Sequence, residues 1–143
     1  MDFVPDAGQL SHVMSQSTAP AFVLGAVAAF IAILLSRMTN VIDRIRSLNE
    51  IAADDAVRAR LKSDIPRLRK RVRLLNSATY LALVSGMCTS LLMVVGFASA
   101  FFGFRHEYGA GLLFALAVGL LGGSIFRFGQ EVKMGLSEAD HYK

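Results

Sequence analysis

The chain is short of charge, of cysteine and of early positive residues, and each shortage removes a class of protein. No Asp, Glu, Lys or Arg occurs from Ala7 to Ser36, from Leu74 to Phe104, or from Tyr108 to Phe126. A soluble domain carries about a quarter charged residues. Here they are 18% of the chain, and the deficit is gathered into three blocks rather than spread. The lone Cys88 excludes an intrachain disulfide and any Cys-x-x-Cys metal site, and reads as a small apolar filler. Residues 1–18 hold Asp2 and Asp6 but no Lys or Arg, which argues against the positive opening of a cleaved signal peptide. No Ser-His-Asp set, HExxH or phosphate loop is present. His12, His106 and His141 lie in three separate segments and read as loop histidines. We therefore expect no enzyme, no catalytic or metal-ligating residues and no cofactor.

What is there is apolar length. A bilayer crossing needs about 20 apolar residues at about 1.5 Å each. Three segments qualify, and they predict an all-α integral membrane protein with three transmembrane helices. Span one is residues 19–36, span two 77–104 and span three 109–126. Residues 1–18 form an external segment, within which Leu10, Val13 and Met14 hint at a short interfacial helix over 7–16. Pro20 is placed in the first turn of span one, where a missing N–H does no harm. Eleven of the 15 Lys and Arg fall within 37–73. The positive-inside rule puts that stretch in the cytoplasm, with the N-terminus and the 105–108 turn outside and the 127–143 tail inside.

Residues 37–76 carry two helical stripes. Met38, Val41, Ile42, Ile45, Leu48 and Ala52 recur at three- and four-residue steps, with Arg37, Asp43, Arg44, Arg46 and Glu50 opposite them. Val57, Leu61, Ile65, Leu68, Val72 and Leu75 form an a/d stripe. Two such stripes bury best against each other, so an antiparallel cytoplasmic helical hairpin extending spans one and two is expected, turning at 52–55. In "SDIP", Ser63 or Asp64 caps a restarted helix with Pro66 in its first turn.

Lipid gives little hydrophobic push between helices, so small residues that admit close backbone approach mark packing faces. The candidates are Gly25 and Ala28 in span one, Gly86 and Gly96 in span two, and Gly119 and Gly123 in span three. They serve packing within one chain or between chains, and a homo-oligomer is the expected partner state. Ser85, Thr89 and Ser99 either bond between helices or line a hydrated pathway; the absence of charge inside the spans disfavours a coupled transporter. The cluster Arg67, Arg69, Lys70, Arg71 and Arg73 reads as a contact for anionic lipid headgroups. Without aromatic residues to stack bases, it is no nucleic-acid site.

Three stretches, "RMTNVIDRIRSLNE", "LRKRVRLLNSA" and "FRFGQEV", resemble elements of a family of small bacterial membrane proteins known only as a domain of unknown function. The matching positions are Asp43, Arg44 and Arg46 after span one, Arg71, Arg73, Leu74 and Leu75 before span two, and Glu131 with Val132 after span three. Asn40 and Gly129-Gln130 depart from the pattern. The resemblance covers about residues 10–135. It implies a three-span fold and a bacterial inner-membrane location, and no activity. From the residues themselves, Asp43, Arg44, Arg46, Arg71, Arg73, Arg127 and Glu131 form a candidate salt-bridge collar below the spans. The functional expectation is a non-enzymatic, self-associating membrane scaffold. The alternatives are an ion channel lined by the span-two hydroxyls and an accessory subunit of a larger complex.

Overall fold

The computed structural model describes residues 7–51, 60–102 and 107–139. It contains three long helices: α1 (Ala7–Asn49), α2 (Ile65–Phe102) and α3 (Glu107–Ala139), with a 3-10 turn at Arg60–Asp64 ahead of α2. Each is long and apolar enough to cross a membrane, over Ser17–Asn49, Arg60–Ser99 and Tyr108–Ser137. The protein is thus an all-helical chain with three candidate membrane spans.

The helices overrun the spans read from charge. α1 starts at Ala7 and makes no separate interfacial helix over 7–16, so Pro20 lies inside it instead of in its first turn. α3 continues from span three through to Ala139, which turns most of the expected tail into helix. The reason is general: a charged residue ends an apolar span but breaks no backbone hydrogen bond, so the ladder runs on into polar sequence. Several hydroxyls in the helices are satisfied within their own helix. Thr39 and Ser47 donate to the carbonyls of Leu35 and Asp43, and Thr79 and Thr89 to those of Leu75 and Ser85, each four residues back.

α2 does restart where the proline demands it. Pro66 is its second residue, Asp64 immediately precedes it, and Ser63 donates back to the Arg60 carbonyl at 2.6 Å. The turn expected at 52–55, with Val57 of the second stripe, lies outside the described residues, as do Arg105 and His106 of the expected 105–108 turn and His141; Glu107 and Tyr108 of that turn open α3 instead.

Burial follows a seven-residue step. In α1 the buried residues are Pro20, Val27, Leu34, Val41 and Leu48; in α3 they are Ala117, Ser124 and Glu131. α2 buries Leu68 and Leu75, then Ala78, Ala82, Ser85, Thr89 and Leu92 at alternating steps of three and four. This is the 3.5-residue period of knobs-into-holes packing. It leaves Ile42, beside Val41, facing out, because a strict seam accepts one of the two. Leu61, in the 3-10 turn ahead of α2, is exposed as well.

The chain divides into two compact units. The first comprises Met1–Phe30 and Ala82–Gly122, the second Ile31–Leu81 and Gly123–Lys143. All three helices contribute to each.

Candidate functional site: a buried carboxylate between two arginines

In the second unit the heptad of α3 puts a carboxylate where an apolar side chain belongs. Glu131 follows Ser124 by seven residues and its side chain is 0% exposed. A carboxylate removed from water needs a paired charge and hydrogen bonds. Arg71 of α2 supplies both: its Nε and Nη2 donate to Glu131 Oε1 at 3.0 and 2.7 Å, and its own side chain is only 13% exposed. The second carboxylate oxygen is treated differently. Among the described residues Oε2 accepts no hydrogen bond, and its ionic neighbour is Nε of Arg37 in α1, 3.5 Å away. Arg37 is 39% exposed and lies over the ring of Phe128, 5.4 Å from its centroid. One residue from each helix thus meets at this point, with a formal charge of +1.

The surroundings are shaped for this pair. Gly135 lies one turn beyond Glu131, and a Cβ there would stand 3.0 Å from Arg71 Nη2 and 3.4 Å from Cζ. The missing side chain lets the guanidinium lie against the α3 backbone. Arg67, one turn before Arg71, donates to Ser137 Oγ at 2.8 Å. One heptad further along, Ser124 Oγ donates to the Ala78 carbonyl at 2.6 Å. The partners step seven residues up α2 and seven down α3, so the two helices run antiparallel in this unit.

The first unit continues the same steps without charge. Ser85 Oγ donates to the Ala117 carbonyl at 2.6 Å, again seven residues on in each helix. Gly86 packs on α1, where its would-be Cβ meets Val27 Cγ1 at 3.3 Å.

Of the expected collar, Arg71 and Glu131 meet. Asp43 and Arg46 form an exposed pair at 3.7 Å within α1, and Arg44, Arg73 and Arg127 are exposed. Of the expected headgroup contacts, Arg69, Lys70 and Arg73 face outward. Arg71 does not: its guanidinium is turned inward because the buried carboxylate outcompetes solvent for it. Of the packing glycines, Gly86 and Gly123 face helix neighbours, the latter Leu81 at 3.7 Å. At Gly25, Gly96 and Gly119 an added Cβ would meet nothing within 4 Å, and Ala28 is exposed. Ser85 and Thr89 are buried with their donors engaged, and Ser99 donates to the Gly96 carbonyl at 2.9 Å. Sequence reading missed Arg37, Phe128, Ser124 and Gly135. The spacing of Ala117, Ser124 and Glu131 was the available signal for the buried carboxylate.

A family model described as a protein of unknown function (DUF2721) matches residues 17–140. The chain belongs to that family. No curated protein and no solved structure matches it. Nearly all of the described residues in the matched stretch are helix, and Arg37, Arg71 and Glu131 all lie inside it. Among the described residues, no group of three or more His, Cys, Asp or Glu is placed to hold a metal ion.

Proposed function

We propose that the protein is a non-enzymatic, self-associating membrane scaffold. One observation carries the reading: the small-residue faces of α1 and α3 point out of the chain. Ala21, Gly25, Ala28 and Ala32 on α1, and Gly111, Ala115, Gly119 and Gly122 on α3, are all exposed. Such faces let backbones approach closely in lipid, and here the chain itself leaves them unused. The chain therefore offers two small-residue faces, on two different helices, for neighbouring copies. The hydroxyls give less support to conduction, since Ser85 and Thr89 already donate to backbone carbonyls inside the chain. In this reading the second unit, rich in arginine, faces the cytoplasm of a bacterial cell by the positive-inside rule.

The test is the mass of the particle purified in mild detergent, for the native chain and for Gly25→Leu and Gly119→Leu. A discrete oligomer that dissociates to folded monomers in either variant is the expected result. A native monomer, or one that co-purifies in fixed ratio with other chains, would replace this reading with an accessory-subunit role.

A further inference from the structure

We propose that Arg37 is a binding site for the phosphate of a membrane phospholipid, held ready by the Arg71–Glu131 pair. This rests on the geometry of the second unit and is independent of self-association.

Three features of Arg37 lead here. It is the first charged residue after the 30 uncharged residues from Ala7 to Ser36, on a helix apolar enough to span a bilayer. That places it where the apolar interior gives way to headgroups. Its guanidinium makes no hydrogen bond among the described residues: its contacts are the 3.5 Å approach to Glu131 Oε2 and the face of Phe128. A guanidinium has five N–H donors, so a large unmet capacity sits at a part-exposed position. Finally, Arg37 shares its carboxylate. Glu131 also accepts two hydrogen bonds from Arg71, so the ion pair at Oε2 offsets the charge of Arg37 only in part.

The carboxylate orients Arg37 without consuming it. Nε faces Oε2, while the edge carrying Nη1 and Nη2 has no acceptor among the described residues. A phosphate diester presents two oxygens at the spacing of that edge, and such forked pairing is stronger than a contact between point charges. Phe128 supports one face of the guanidinium and limits its swing. On binding, a shift of roughly 0.5 Å would bring Nε–H within hydrogen-bonding distance of Oε2, satisfying the buried acceptor. Ligand capture and completion of the triad then favour each other.

The site differs from the outward cluster Arg69, Lys70 and Arg73, which has no fixed partner among the described residues and attracts anionic lipid diffusely. The phosphate chemistry would suit a free phosphate too; the position of Arg37 selects the lipid.

The full chain in detergent is the material for the test. Lipid retained through purification is measured by native mass spectrometry, and thermal unfolding is followed on adding phosphatidylglycerol, phosphatidylcholine or inorganic phosphate. A ligand that binds the folded state raises the unfolding temperature. The native chain should retain phosphatidylglycerol and be stabilised by it. Arg37→Gln should weaken retention roughly tenfold, the scale of lost hydrogen bonds to a charged group. Arg37→Lys, which keeps the charge and loses the fork, should fall between, and it serves as the reading should the glutamine variant not fold. The double variant Arg69→Gln/Arg73→Gln should retain lipid as the native chain does. Equal retention in the native and Arg37 variants would overturn the proposal, as would equal loss in the Arg69/Arg73 variant. Stabilisation by inorganic phosphate matching that by phosphatidylglycerol would overturn the assignment to lipid.

Discussion

The two units solve one problem, holding α2 to α3, with different chemistry. In the first, Ser85 donates to a backbone carbonyl and nothing charged is involved. In the second, a hydroxyl bond of the same kind from Ser124 is joined by a buried ion pair one heptad away. A hydroxyl–carbonyl bond is cheap to bury, because neither partner carries a full charge; it contributes modestly and tolerates loss. A buried ion pair contributes little net stability against an apolar replacement, yet removing one member leaves a charge stranded. The first unit is thus tolerant and the second exacting. The exacting one holds the residues that a ligand could address.

Breaking the ion pair should have the largest effect. Arg71→Met takes from the buried Glu131 carboxylate both hydrogen bonds at Oε1 and leaves it only the 3.5 Å approach of Arg37; it should destabilise the chain by about 3 kcal/mol, read by chemical unfolding in detergent. Adding Glu131→Gln should recover much of that loss, a non-additivity that a double-mutant cycle measures. A strictly additive pair would remove the contrast between the units.

Gly135→Ala should come next. Its Cβ would push on a guanidinium already pinned at Glu131, at a cost of about 1–3 kcal/mol. In the Arg71→Met background the same change should instead stabilise by about 0.5–1 kcal/mol, the helix preference of Ala over Gly, which separates crowding of Arg71 from any general intolerance of α3.

Ser85→Ala and Ser124→Ala test the neutral steps, with expected losses averaging about 0.6 kcal/mol each and reaching about 1.7 at most. Similar values at the two sites would show that the units differ by the ion pair alone. Asp43→Asn should have the smallest effect, about 0–1 kcal/mol, since its partner Arg46 is exposed beside it.

Much of the architecture was legible, for a physical reason. Three uncharged blocks admit few alternatives to three apolar helices, and Pro66 marks the restart of α2 because its ring fits a helix only in the first turn. The ends of the helices were less legible: charge reports where a span ends, while hydrogen bonding decides where a helix ends. At the candidate site, Arg71 and Glu131 were visible as members of a collar, but which of several arginines Glu131 would choose depends on register between helices distant in sequence. Arg37 was read only as part of the charged face opposite the first stripe, because its meaning comes from α3. The small residues of α1 and α3 looked like packing faces in the sequence, and only the burial pattern tells which of them the chain leaves open.

The seven-residue steps have one more consequence, for slippage. Were α3 to slide one heptad along α2 in one direction, Glu131 would come to the level of Asp64, setting carboxylate against carboxylate. In the other direction it would come to the level of Ala78, with no cation at hand. Apolar seams built of alanine and leucine repeat themselves and permit such shifts. A single carboxylate in the repeat makes both neighbouring alignments unfavourable, so a newly inserted chain that pairs these helices wrongly has reason to let go and try again.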